Sequence, residues 1–313
     1  MIMSPMNLDP SLEGVTRLPH LGVIRASGAE AQKFLHGQLT NDMLGLAAER
    51  ARLAGFCSAK GRLQASFVLW KSSADEVQLV CTASVLPATL KRLSMFVLRS
   101  RCKLADASDE LPVYGIAGRL VPHAQTWQRS VVDGASVVAL PVVNGLARCL
   151  WVGPNPPTAL PADALDQDGW RWLELQSGIP LIEAATVDRF VPQMLNYELI
   201  GGVDFQKGCY PGQEIVARSQ YRGTIKRRMA LFDIDAPAQP ADEVFHSADP
   251  GQPAGMVVNA APRPHDAAGF SALVEVKLAA LEHGSLHLGH AAGAVLRPLA
   301  LPYAVPREAA TSP

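Results

Sequence analysis

An α+β fold that ends in a small β-barrel is what the sequence predicts, and three observations predict it. Strand-like and helix-like segments alternate through residues 18–178, but a hairpin stands among them, which departs from strict strand–helix–strand units. Beyond a Pro- and Asp-rich stretch, 233–242, short strand-like runs follow near 255–258, 272–278 and 293–296. The length of 313 residues exceeds what one hydrophobic core usually supports, so two or three modules are expected.

The elements follow in order. Residues 18–25 read as a strand that ends at Ser27 and Glu30, which have the spacing of a capping box and announce a helix. Phe34, Leu35 and Leu39 share one face of that helix, and Thr40-Asn41-Asp42 supplies a cap or turn. Residues 52–70 alternate around Lys60-Gly61 as a hairpin, with Leu53, Gly55 and Cys57 on one arm and Leu63, Ala65, Phe67 and Leu69 on the other. A strand is expected at 77–82, and Ser84 can cap an amphipathic helix carrying Leu86, Leu90, Leu93 and Val97. Strands are expected at 113–117, 137–143 and 147–152, with a helix at 124–129 between the first two. A helix at 170–177 is stopped by Gly178 and Pro180. These readings place one region at 1–232, with an internal break near 105–115, and the barrel at 233–313.

Composition bounds the function. A hydrophobic share of 48% with 18% charged residues belongs to a packed globular protein. Lys plus Arg number 28 against 29 for Asp plus Glu, so no global charge excess points to nucleic acid or an anionic membrane. The five cysteines contain no Cys-x-x-Cys pair and make a poor disulfide or zinc framework, which suits a reducing compartment. With no signal-like leader and no apolar run of spanning length, a soluble cytoplasmic protein without membrane contact is expected.

The chemistry concentrates at Lys207-Gly208-Cys209-Tyr210-Pro211-Gly212-Gln213-Glu214. Pro211 can open a helix there, which would set the Cys209 thiol at a helix N-terminus beside the Lys207 ammonium and favour the thiolate. A lone cysteine is also commonly a small buried hydrophobe, and the residues alone leave both readings open. Arg218, Arg222, Lys226, Arg227 and Arg228 gather five cations, which could hold a carboxylate or phosphate or simply face solvent. His283, His287 and His290 are expected in a surface loop, and no metal site is predicted.

The cysteine loop resembles the signature of the YgfZ family, with Pro211 where the family usually has Thr. Phe190-Val191-Pro192-Gln193, Asn196, Gly201-Gly202-Val203, Val216-Ala217-Arg218 and Arg222-Gly223 are similar to its flanking pattern. So are Gly37-Gln38-Leu39-Thr40 with Asp42, Cys57-Ser58-Ala59-Lys60-Gly61 and Leu301-Pro302-Tyr303. The resemblance implies the fold of the glycine-cleavage aminomethyltransferase, a ring of domains around a central tetrahydrofolate site. It implies a folate-binding accessory protein of iron–sulfur cluster assembly or repair, whose partners are iron–sulfur proteins or cluster-assembly factors, tRNA being an indirect partner. Cys209 is then the functional thiol, Lys207 its electrostatic partner, Gly208 and Gly212 the hinges, and Tyr210, Gln213 and Glu214 the rest of the motif. Trp170, Gln176, Arg218 and Arg222 become the candidate folate contacts, although Trp170 can equally be a core residue. The alternative is a folate-dependent one-carbon transferase. Against it, Gln64-Ala65 stands where transferases carry acidic residues, Gln176-Ser177-Gly178 replaces Glu-Ala-Gly, and Leu21 replaces a tryptophan.

Overall fold

A computed structural model describes residues 9–157, 165–221 and 225–306 of the chain. Two strands, β1 (Gly14–Arg17) and β2 (Leu21–Ser27), lead to helix α1 (Ala31–His36). There follow β3 (Ala51–Cys57), β4 (Leu63–Ser73), β5 (Glu76–Thr82), helix α2 (Leu86–Val97) and β6 (Lys103–Asp106). Next come β7 (Val113–Ala117), β8 (Arg129–Val132), β9 (Ala135–Val143), β10 (Leu146–Val152), helix α3 (Gln167–Gln176) and helix α4 (Gln213–Tyr221). The last part holds β11 (Arg227–Ile234), β12 (Glu243–His246), β13 (Asp249–Arg263), β14 (Asp266–Lys277), β15 (Leu286–Leu288) and β16 (Leu296–Leu299).

Three antiparallel sheets result. The first has the order β3-β4-β5-β2-β6, the second β1-β7-β10-β9-β8 and the third β15-β12-β13-β14-β11-β16. The first sheet is buried on both faces, which explains why its strands are nearly all apolar. Alternate residues of β2 enter different cores, as the twofold period of a strand requires. Leu21 and Val23 pack with Val138, Leu150 and Trp170 against the second sheet. Ile24 and Ala26 pack with α1, α2 and Met229, Leu231 and Leu273 of the third. The third sheet curls into a half-barrel around Phe232, Val244, Val257 and Val274, and His287 of β15 bridges Val295 beside β16.

Several local expectations are corrected. Ser27 ends β2 and caps nothing; the Glu30 carboxylate instead accepts the amide of Arg101, because that turn lies against the segment entering β6. Ser84 accepts the amide of Ala184 and does not cap α2. The helix expected at 124–129 is absent: the backbones of Trp127 and Gln128 bond to Ala139 and extend the second sheet toward β8. Helix α4 begins at Gln213, so Pro211 precedes the helix and Cys209 lies in the approaching loop. The first sheet closes at Asp106, the second resumes at Val113, and β11 opens the third at Arg227.

One backbone contact sets the cysteine loop against the first sheet. Gly61, at the β3–β4 turn, and Gly212 both have left-handed φ values, +68° and +79°. A Cβ on Gly212 would stand 2.3 Å from the Ser58 carbonyl oxygen and 2.7 Å from the Gly61 backbone. Gly212→Ala is therefore expected to lower stability by roughly 2 kcal/mol or more, through strain and separation of the two turns. Thermal denaturation checks this, and an unchanged melting temperature would contradict the close approach.

Candidate functional site

Lys207 organises the loop around Cys209. Its side chain is buried, and its ammonium donates to the carbonyls of His36 and Leu39, the latter at 3.0 Å. Carbonyls at a helix end lack intrahelical partners, and a cation there also meets the negative end of the helix dipole. The ammonium lies 4.8 Å from the centroid of the Tyr210 ring, within range of a cation–π contact. Burial pulls the Lys207 pKa down to about 8, while Asp204 and Asp42 oppose that fall. Tyr210 is buried with its hydroxyl unpartnered, and burial pushes its phenol well above the ordinary range.

Between these two anchored residues Cys209 is exposed. The other four cysteines differ. Cys57, Cys81 and Cys149 are buried and their thiols are pushed up to about 12 by burial, and the half-buried Cys102 is also raised. Of the five, Cys209 is the one whose residue is exposed. His36 adds a group that residue spacing had not placed there. Its Nδ1 lies 3.0 Å from Asp42 Oδ1, and its Nε2 faces Gly208, where an added Cβ would stand 3.4 Å away. Asp42 is itself fixed by the amides of Leu44 and Gly45.

The second feature is a cavity between the first and second sheets. Leu21, Leu53 and Val80 form apolar walls, Tyr197 closes one side, and Arg148 and Glu174 bring charge. Arg148 is 2% exposed, and its guanidinium carbon lies 5.5 Å from the Trp170 ring centroid. Its Nε and Nη2 donate to the Pro141 carbonyl, and Nη1 has no partner. Burial pulls its pKa down to about 10, opposed by Glu174. The Glu174 carboxylate accepts from Trp170 Nε1 at 2.8 Å and meets His20 Nε2 at 3.1 Å. A neighbouring cleft, of about 170 Å3, shares Glu174, Ile179 and Leu181 with this cavity and reaches Asn259 of the third sheet.

No protein-family model matches the chain. A curated relative from Edwardsiella ictaluri, tRNA-modifying protein YgfZ, is 35% identical over 241 residues, covering 69% of this chain and 69% of that protein. The chain belongs to the YgfZ family. The Escherichia coli protein of the same name is 29% identical over 221 residues, covering 66% and 67% of the two chains. Glycine cleavage system aminomethyltransferase T from Bartonella henselae has the same fold, with a TM-score of 0.71 at 13% identity over 91% of this chain and 84% of that one. The expected YgfZ assignment and aminomethyltransferase fold are thus shown, including the curled C-terminal sheet.

On this YgfZ scaffold the sequence-predicted residues divide. Lys207, Gly208, Cys209, Tyr210 and Gly212 form one loop, and Gln213 and the exposed Glu214 open α4. Trp170 is fully buried behind Arg148, close enough to Gly115 that an added Cβ there would stand 2.4 Å from the ring. Gln176 lines a cleft beside Trp172, Asp233 and Arg263, apart from the central cavity. Glu174, two residues earlier, is the α3 side chain that reaches the cavity, and Leu21 lines its wall. Arg218 is exposed on α4, and Arg222 lies outside the described residues. Arg227 pairs with Glu275, and the buried Arg228 pairs with Glu198, so two of the five clustered cations are structural.

The buried ammonium gives a prediction. Lys207→Met leaves two carbonyls without their donor and is expected to lower stability by about 1–3 kcal/mol. With the folded pKa of Lys207 near 8, below its ordinary 10.5, the unfolded chain holds more protons between these values. The stability contribution of Lys207 therefore rises with pH across that window, and the substitution removes that slope. Denaturant titrations of both proteins from pH 7 to 10 measure both effects.

Proposed function

We propose that this YgfZ-family protein binds tetrahydrofolate or a derivative in the central cavity and acts through the Cys209 loop in iron–sulfur cluster assembly or repair. The observation that carries the reading is the exposed Cys209 thiol, on a loop fastened at Lys207 and Gly212, in a chain of the YgfZ family; the cavity between the sheets, about 50 Å3, would have to open into the neighbouring cleft to admit a pterin ring. Leu21, Leu53 and Val80 would hold the ring faces, and Arg148 and Glu174 its polar edge. A bound reduced folate supplies a carrier for one-carbon units. The protein's own contribution is an exposed thiol on a rigid loop, fastened at Lys207 and Gly212, beside the His36–Asp42 pair.

In this reading the partners are iron–sulfur proteins or cluster-assembly factors, and a link to tRNA such as the relatives' name describes would be indirect. A reducing cytoplasm suits a chain whose five cysteines are all free. No described helix is long and apolar enough to cross a membrane. A one-carbon transferase is the weaker reading. The hairpin position that would carry its carboxylate holds Gln64, whose amide donates to the exposed Asp188 at 3.1 Å.

Calorimetric titration with tetrahydrofolate is expected to show saturable one-to-one binding, and absence of heat at millimolar ligand would remove the folate from the reading. Cys209→Ala is expected to retain that binding yet leave iron–sulfur enzyme activity depressed in cells lacking the native gene. Full restoration of activity by the alanine variant would rule out a role for the thiol.

A further inference from the structure

Helix α2 carries two stripes, and the fold uses one of them. Leu86, Leu90, Leu93 and Val97, spaced by four, three and four residues, pack into the core beneath the helix. Arg92, Met95, Phe96 and Arg99 form a second stripe at three- and four-residue steps, and all four are exposed. Met95 is 67% exposed, Phe96 42% and Leu98, at the C-cap, 87%. Leu98 also has a left-handed φ of +42°, which is unfavourable for a bulky side chain. Three large apolar side chains thus stand in water within four residues, one of them on a strained backbone, and folding gains nothing from either feature.

The surroundings are cationic. Lys91, Arg92, Arg99, Arg101 and Lys103 are exposed, and residues 91–103 include no Asp or Glu. Among the described residues, the one ion pair made by these five joins Arg101 to Glu30 at 3.5 Å, and Lys33 of α1 acts on the same carboxylate. We infer that this end of α2 is a docking surface for an acidic protein segment, with Met95, Phe96 and Leu98 entering an apolar pocket of the partner and the cations meeting carboxylates around it. Met, Phe and Arg are the residue types that interface centres favour, and the charge selects and orients the partner. A lipid surface fits less well. A helix lying on a membrane offers a long apolar face, and the long apolar face of α2 is already spent on the core. What remains is a knob of three side chains, suited to a pocket.

The surface also stands near the cysteine loop. Glu30, before α1, accepts the Arg101 amide, and the carbonyls of His36 and Leu39 at the other end of α1 hold Lys207. The six residues of α1 span about 9 Å, so a docked partner is one short helix from the anchor of that loop. Docking here needs no folate, and the folate reading stands or falls without it.

In cells lacking the native gene, the photoreactive residue benzoylphenylalanine replaces Met95 in the full chain, or Val142, exposed on the second sheet, as a control. Irradiation is expected to give a dominant protein adduct from position 95 and none from 142, and peptide mapping to place it in a segment where Asp and Glu outnumber Lys and Arg. Lys91→Glu, Arg92→Glu and Arg99→Glu together are expected to cut that adduct at least about 5-fold, with a melting temperature within about 2 °C of wild type because all three side chains are exposed. Leu98→Gly separates docking from folding: glycine relieves the left-handed φ, so the variant is expected to melt no lower than wild type and yet to lose at least about half of the adduct. Absence of an adduct at 95, an adduct in a segment without acidic excess, or one that survives charge reversal would overturn the docking surface. Flotation with vesicles of phosphatidylcholine and phosphatidylglycerol is expected to leave the protein unbound, and binding through these cations would assign the patch to a lipid surface instead.

Discussion

The backbones at Gly61 and Gly212 touch, and the placement of Cys209 depends on that contact. The β3–β4 turn is closed by its own bonds, Ser58 N–H to Arg62 and Gly61 N–H to Ser58. It is also strapped from outside, since Leu63 and Asp188 exchange backbone bonds with Phe190 and Leu63. A turn held on both sides makes a stiff surface for the loop to lie on. Two residues before Cys209, the Lys207 ammonium grips the end of α1, and one residue after it the Tyr210 ring is buried. With both neighbours drawn inward, the residue between them is left outside. Exposure of the thiol is thus a result of fastening, and a loosely tethered loop would let a small apolar side chain fold under.

The third sheet has a comparable role at the cavity. Asn259 of β13 accepts the Leu181 amide at 2.9 Å and donates to the Leu181 carbonyl at 2.9 Å, so one side-chain amide pairs with both backbone groups of a residue at the cavity edge. Tyr303 acts similarly at the end of α3: its hydroxyl donates to the Gly178 carbonyl at 2.8 Å, and the left-handed Gly178 leaves room for its ring. Segment 178–183, which follows α3 and borders both central hollows, is therefore held by polar groups from the C-terminal part of the chain. The half-barrel contributes to the cavity mainly by fixing this segment.

Much of this was legible because it is local. The Lys60-Gly61 turn, the strand alternation around it and the periodic apolar stripe of α2 follow from twofold and 3.6-residue periods. The cysteine motif was legible through its resemblance to the YgfZ signature, and the structure adds a reason for Gly212, where two backbones meet. Long-range pairing was not legible. His36 lies 173 positions before Cys209, and only the fold sets it against Gly208; the nearby Gln38-Leu39-Thr40 and Asp42 were the available signal. Arg148 was hidden in an apolar strand and read as an ordinary strand residue, although one arginine between Leu146 and Leu150 on an inward face is itself a cue. The expected 124–129 helix failed because pairing with β9 satisfied that backbone first.

The cavity and the cysteine loop share a wall. Leu53 and Tyr197 line the cavity and also pack in one cluster with Val203 and with Val216 of α4, the helix that the loop opens into. Tyr197 is fixed there from three directions: its hydroxyl donates to Ala54, its amide bonds to Pro192, and its ring lies against Gly202. Thr40 and Asn41 clamp the carbonyls of Gly202 and Gly201, next to Val203 of that cluster, and Asp204 bonds back to Thr40. A ligand that displaced Leu53 or Tyr197 would act directly on the seat of α4 at Val216, four residues beyond Gly212, and a change at the loop would act back through the same side chains. Close-packed interiors transmit such shifts because they have little free volume to absorb them. That shared packing would give a ligand held in the cavity, as proposed, a physical route to the exposed thiol.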